Sequence, residues 1–328
     1  MTTGPISISE RDLSSLLPMN KLVEALRTSF KDGCHAPPRE HHEIDVASGE
    51  NATLLLMPAW SKQGPRRYLG VKQVNVFPGN ARISKPALTS IYNLFDGDTG
   101  EHLASMDGNT ITGRRTVAVS ALAASYLSRP DATTLTVVGS GRIASLIPYA
   151  YKAVRDIQHV KIWDIDPASA ERLRLKLTDD GFGCEIVESL EEAVNSADIV
   201  SAATLSRTPL VLGKWLHPGT HVDLIGAFTA DMRESDDECI ARADVYVDTM
   251  EAFHEAGDLI QPQRSNAIDR DHVKGTLADI VSGRLPGRQS RDAVTVFKAV
   301  GTALADLSAA SLAYEGSSKQ FKSSSRKV

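Results

Sequence analysis

The sequence predicts an α/β protein in which an antiparallel block precedes a doubly wound parallel sheet. Three observations carry this. Residues 43–105 read as short strands separated by Gly, Pro and Asp turns. From Thr133 onward, apolar runs alternate with helical stretches. The first of those runs ends in a glycine-rich loop, Gly139-Ser140-Gly141. A chain of 328 residues is long enough for about two domains.

Taken in order, residues 7–33 are expected to be helical. Ser9 is placed to cap a short first turn at Glu10-Arg11-Asp12, and Pro18 suits the first position of the next helix, where its missing N–H costs nothing. Leu22, Val23, Leu26 and Phe30 form an apolar stripe that Gly33 ends. Residues 34–42, with Pro37-Pro38, read as a turn entering a strand. Thr53–Met57, Tyr68–Val74 and Ile91–Phe95 read as strands, and Asp96-Gly97-Asp98-Thr99-Gly100 as a turn between two of them. Thr116–Leu127 is Ala-rich with helical periodicity. Strands are then expected at 133–138, 159–164, 197–203, 220–226 and 243–248, with helices at 142–155 and 168–178. Pro148 either kinks the first of these helices or sits in its first turns. A last helix is expected at 292–315, followed from Gly316 by a disordered Lys/Ser-rich end.

Composition narrows the function classes. The formal charge is −5, so nothing electrostatic favours a nucleic-acid partner, whose binding draws on clustered Lys and Arg. No apolar run approaches the roughly 18 residues of a membrane span. The N-terminus, with Glu10, Arg11 and Asp12, does not read as a signal peptide. Cys34, Cys184 and Cys239 form no CxxC pair and no metal-like cluster, so they are read as reduced thiols in a cytoplasmic protein with no metal site.

The glycine loop points to a dinucleotide. Leu135–Val138 reads as a buried strand, and Gly139-Ser140-Gly141-Arg142-Ile143-Ala144 opens the following helix. The first Gly permits the tight turn, the second admits a pyrophosphate, and the small third residue lets the helix pack close. A helix N-terminus there presents N–H groups to phosphate. The next strand ends at Asp164, 25 residues after Gly139. An acid at that spacing accepts hydrogen bonds from ribose hydroxyls and repels a 2′-phosphate, which favours NAD over NADP. Asp164 read alone is also explained as a helix N-cap, a task Asp166 can equally perform.

Three cations stand out among apolar or turn-like neighbours: Arg39 after Pro37-Pro38, Lys72 within Leu69–Val74, and Arg115 before the Ala-rich helix. Each suits a substrate carboxylate, Arg best of all through its paired donors. Each alone is more often a solvated surface charge.

The segment Met106-Asp107-Gly108-Asn109-Thr110-Ile111-Thr112-Gly113-Arg114-Arg115-Thr116 resembles the hallmark of the ornithine cyclodeaminase/μ-crystallin family. Val71–Asn75, Phe95–Gly100, the Gly139 loop, Gly287-Arg288-Gln289 and Thr295–Gly301 agree with it in order, so the resemblance covers about residues 7–315. It implies a Rossmann-type NAD-binding domain, 116–299, inserted into a substrate-binding and dimerisation domain, 1–115 plus 300–328, in a homodimer. It also implies that Arg39, Lys72 and Arg115 hold the substrate carboxylate and that Val300 touches substrate. Arg142, Ile143, Asp164, Thr204 and Ile225-Gly226-Ala227-Phe228 are implied cofactor contacts.

Departures from the family pattern decide between its activities. Where cyclodeaminases carry a Glu before the Met-Pro pair, this chain has Leu55; where they carry an Asp near the nicotinamide, it has Phe228. Asp231 and Glu234 follow, but the resemblance does not place them at the ring. Deamination needs a base at the substrate amine, and neither Leu nor Phe is one. The expectation is therefore an NADH-dependent imine reductase acting on iminosuccinate or a cyclic ketimine such as Δ1-pyrroline-2-carboxylate. Lys72 or water protonates the nitrogen, and Phe228 excludes water from the ring. Arg114, Lys62, Arg66 and Arg67 are candidates for a second carboxylate. The alternatives are an ornithine cyclodeaminase and a non-catalytic dinucleotide-binding protein.

Overall fold

The structure is a computed structural model that describes residues 4–46, 49–64 and 66–324. The chain divides into two compact units, Met1–Arg115 with Thr302–Val328, and Thr116–Gly301.

The first unit opens with a strand where a helix was expected: β1 (Ile6–Ile8) pairs in parallel with β7 (His102–Asp107). Alternating Ile6-Ser7-Ile8 suits the strand period of two. Ser9 caps α1 (Glu10–Leu16), accepting from the Asp12 N–H at 3.3 Å. Pro18 is the N-cap of α2 (Met19–Asp32), with extended ψ, and not its first helical residue. Gly33 ends α2, which buries Leu22, Val23, Leu26 and Phe30. There follow β2 (Cys34–His35), β3 (Glu40–Ile44), β4 (Ala52–Ser61), β5 (Tyr68–Val76) and β6 (Leu88–Asp96). The sheet order is β1-β7-β6-β5-β4-β2, with β3 also on β4. All pairs but β1–β7 are antiparallel.

β4 runs straight through Met57-Pro58. Its outer neighbours stop on either side, β3 pairing with Ala52–Leu56 and β2 with Trp60–Ser61, so Pro58 falls in a gap where no ladder N–H is called for. The helix expected at 116 starts earlier, at α3 (Gly108–Leu127), where Asp107 Oδ1 accepts the Thr110 N–H at 2.6 Å.

The second unit holds an all-parallel sheet. It comprises β8 (Thr134–Val138), α4 (Ile147–Lys152), β9 (His159–Trp163), α5 (Pro167–Asp179), β10 (Gly183–Ile186), α6 (Leu190–Asn195), β11 (Ile199–Ala202), β12 (His221–Leu224), α7 (Asp237–Ala241), β13 (Asp244–Val247), α8 (Ala252–Glu255), α9 (Gly257–Arg264), β14 (Val273–Thr276), α10 (Leu277–Val281) and β15 (Thr295–Lys298). Strand order is β10-β9-β8-β11-β12-β15-β13-β14. β8 lies between β9 and β11, so the winding reverses there, at the edge where doubly wound sheets bind ligands. The helix expected at 142–155 is a 3-10 turn, Ala144–Leu146, leading into α4, and Pro148 sits in the first turn of α4.

The helix expected at 292–315 is corrected most. Thr295–Lys298 is a fully buried strand between β12 and β13, and the helix α11 (Ala303–Ser324) begins only after Gly301. A short, wholly buried apolar run has no periodicity to separate strand from helix. The end expected to be disordered from Gly316 is helical through Ser324, and residues 325–328 lie outside the described ones. In the first unit, α11 packs on α2, β4, β5 and β6. It covers the sheet face that carries Tyr68, Lys72, Val74, Tyr92 and Leu94.

Candidate functional site

Lys72 belongs to that covered face because side chains of β5 alternate: Tyr68, Lys72 and Val74 point toward α11 and are buried. A lone ammonium there would be costly. Asp306, one turn into α11, supplies the counter-charge. Its Oδ2 lies 2.7 Å from Lys72 Nζ, and its Oδ1 accepts from Arg115 Nε at 2.8 Å. All three side chains are buried. Two cations against one anion leave one net positive charge, and Arg39 is near enough to act on Lys72 electrostatically. Burial pulls Lys72 down to about 8; Asp306 opposes the shift, while Arg115 and Arg39 add to it. Burial alone would raise Asp306, but Arg115 and Lys72 outweigh it and hold the carboxyl below its usual range. Leu55 shares the Lys72 face through its register with Val74. No carboxylate therefore stands at that position.

Asp306 was missed in the sequence. Its signal was present: it is the single charged residue between Lys298 and Glu315, in an otherwise small and apolar helix.

Three of the four basic residues considered for a second carboxylate are engaged elsewhere. Arg114 donates from Nε and Nη2 to the Leu17 carbonyl at 2.9 and 2.7 Å. Arg66 lies over the rings of Tyr68 and Tyr314, and Arg67 pairs with Asp98 at the surface.

In the second unit, a cleft of about 420 Å3 opens at the C-terminal ends of β8, β9 and β11. Gly139, Ser140, Gly141, Trp163, Asp164, Ala203, Thr204 and Ser206 are among its lining residues. Gly139 has φ +103°, and a Cβ there would meet the Ala203 carbonyl oxygen at 3.0 Å. Gly141 differs: a Cβ there would meet nothing within 4 Å. No described neighbour requires a glycine at 141, and its open side suits the close approach of a phosphate. Asp164 Oδ2 accepts from Ser140 Oγ at 2.5 Å and Oδ1 from the Asp166 N–H at 2.8 Å. The N-cap of α5 is Asp166, which accepts from Ala168 N. Arg142, Ile143, Gly226, Ala227 and Phe228 are outside the cleft lining. Gly226-Ala227-Phe228 follows β12 at the same sheet edge, with Ala227 left-handed at φ +51° and Phe228 half exposed. Val300 is buried in the turn after β15, where the Asp248 carboxylate accepts the Val300 and Gly301 N–H groups.

A second charged cluster, also missed, lies behind the cleft. Glu234 Oε1 accepts both the N–H and the hydroxyl of Thr204, at 2.6 and 2.8 Å. Asp258 lies 3.2 Å from Lys298, which donates to the Gly226 carbonyl. Burial pushes Glu234 up to about 7, with Lys298 opposing and Asp258 adding. No His/Cys/Asp/Glu group among the described residues could hold a metal ion. No described helix is long and apolar enough to cross a membrane.

One unit with a parallel sheet and a glycine loop at its switch point, and another with an antiparallel sheet that buries a cation–carboxylate cluster, define a two-unit α/β protein of the Rossmann-like class. The sequence model of the ornithine cyclodeaminase/mu-crystallin family matches residues 6–320, and the chain belongs to that family. A Δ1-pyrroline-2-carboxylate reductase of Paracoccus denitrificans is 39% identical over 314 residues, covering 94% of this chain and 96% of its own. The Thermococcus litoralis enzyme of the same name, solved with NADH and L-proline, is similar at TM-score 0.88 and 33% identity, over 96% of this chain and 98% of its own. An iminosuccinate reductase of Paracoccus denitrificans, solved with NAD+, is similar at TM-score 0.87 and 25% identity, over 97% and 98%.

Proposed function

We propose that the chain is an NADH-dependent imine reductase that converts a small cyclic ketimine carboxylate, of the Δ1-pyrroline-2-carboxylate kind, to the L-amino acid. The observation that carries this is the buried Lys72–Asp306–Arg115 cluster. It keeps an excess positive charge for a substrate carboxylate and a lysine that titrates near neutrality. Arg115, with Arg39, orients the carboxylate, and such orientation supplies several kcal/mol of the barrier. Lys72 Nζ delivers the proton that the imine nitrogen needs. NADH, when bound, supplies the hydride to the imine carbon. The residues of the cleft suit that cofactor: the open side of Gly141 admits the pyrophosphate, and the Asp164 carboxylate favours ribose hydroxyls over a 2′-phosphate. Thr204 and the Gly226–Phe228 turn are assigned to the cofactor, and Val300 to the substrate.

A cyclic monocarboxylate is favoured over iminosuccinate because Arg114, Arg66 and Arg67 have other partners. A homodimer is favoured by the sheet face opposite Lys72. There Leu54, Leu56, Trp60, Val71, Ile91 and Phe95 alternate outward, with Trp60 and Ile91 exposed. Three free thiols fit a cytoplasmic protein.

The test follows NADH and NADPH absorbance with Δ1-pyrroline-2-carboxylate, Δ1-piperideine-2-carboxylate and iminosuccinate. Turnover is expected with NADH on the cyclic imines. NADH binding without turnover on any of them would establish a binding protein. Proline formed from ornithine with no net NADH change would establish a cyclodeaminase.

A further inference from the structure

We propose that Glu234 is a positioning residue that holds the wall of the cofactor cleft in place through its carboxylate. This rests on the cofactor reading above. The wall is the segment 203–210, which contributes Ala203, Thr204, Leu205, Ser206 and Leu210 to the lining. Glu234 grips both ends of it. Its carboxylate oxygen takes the N–H and hydroxyl of Thr204, and its backbone carbonyl takes the N–H groups of Leu210 and Val211, each at 2.9 Å. In between, the Arg233 N–H donates to the Ser206 carbonyl at 2.7 Å.

The clamp is itself anchored. Asp258 Oδ1, on α9, accepts the N–H groups of Glu234 and Ser235 and the Ser235 hydroxyl at 2.9–3.0 Å. Lys298, on β15, bonds the Gly226 carbonyl, and Gly226 is packed so closely on Thr204 and Glu234 that no Cβ fits. One carboxylate therefore ties the loop after β11 to the loop after β12, the two segments assigned to the cofactor. The charged groups facing it are Lys298 and Asp258, while neighbouring Arg233 turns to Asp237 and the Ser235 carbonyl. Glu234 Oε2 is buried with no hydrogen-bond partner among the described residues, so the charge on this acid is costly and easily lost to a proton.

The experiment measures NADH affinity directly by fluorescence titration of the full-length protein, with thermal melting alongside. Glu234→Ala is expected to weaken NADH binding about tenfold, the loss of a charge-assisted bond to a buried N–H. Glu234→Gln, which keeps one acceptor oxygen, is expected to recover part of it. Wild-type Kd is expected to rise as pH falls through about 7, and the Gln variant to lose that dependence. Unchanged Kd in a folded Ala variant overturns the proposal. So does equal loss in Ala and Gln with the pH dependence retained. If the Ala variant does not fold, a wild-type Kd flat from about pH 6 to about pH 8 overturns it. Wild-type protein that binds no NADH at any pH overturns the cofactor reading together with the proposal.

Discussion

Each unit buries a triad of ionisable side chains, and the two triads are opposite in sign. Lys72, Arg115 and Asp306 hold two cations and one anion; Glu234, Asp258 and Lys298 hold two acids and one cation. An excess acid inside a protein has an exit: it takes up a proton, and Glu234, pushed up to about 7 by burial, is poised to do so. An excess guanidinium has none, because Arg stays charged at any accessible pH. The first triad can discharge its excess only by lowering Lys72 or by taking an anion. On that physical difference rest the binding role proposed for the first cluster and the bracing role proposed for the second.

The largest test removes the anion. Asp306→Asn leaves Lys72 and Arg115 buried with no counter-charge. The expected cost is about 3–5 kcal/mol of stability, read by urea unfolding. Because Asp306 is the group that raises Lys72, its loss should also drive Lys72 further down. A variant that unfolds like wild type would mean that the two cations are not held by this carboxylate, and the contrast between triads would fail.

The next test asks what Lys72 does. Its pKa is lowered to about 8, so the protonated amine is the form present at neutral pH and is lost above that value. If it is the proton donor, kcat should fall as pH rises through about 8, and Lys72→Met should cost about a hundredfold and abolish that limb. The stability sign runs the other way. A lysine depressed in the folded state binds its proton less well than in the unfolded chain, so folding strengthens as pH rises from about 8 toward 10.5. Opposite slopes for activity and stability over one pH window separate a catalytic lysine from a merely buried one.

What the sequence disclosed follows from range. The Gly139 loop and Asp164 belong to one strand–loop–helix–strand unit, so their spacing alone placed them at one sheet edge. Lys72 and Arg115 stood out as cations in apolar surroundings, but their shared partner lies 191 residues beyond Arg115, where no local pattern reaches. The central strand Thr295–Lys298 was hidden because burial on both faces erases periodicity. Glu234 carries no signal of this role in the sequence, because its contact with Thr204 spans 30 residues that no local pattern links. An acid can serve the same cofactor from behind, by holding Thr204.

The smallest expected effect concerns Asp164, an acid of the cleft lining that belongs to neither triad. Its carboxylate is shared between the Ser140 hydroxyl and the Asp166 N–H, so it orders the glycine loop as well as presenting charge. Asp164→Ser keeps a small polar group and removes the charge that repels a 2′-phosphate. NADH affinity should fall and NADPH affinity rise, narrowing the preference by about tenfold, as read by paired Kd titrations. Melting should change little, because Asp166 and not Asp164 caps α5. If both cofactors weaken equally, Asp164 acts only through Ser140, as a brace of the loop, and selection against the phosphate lies elsewhere on the cleft wall.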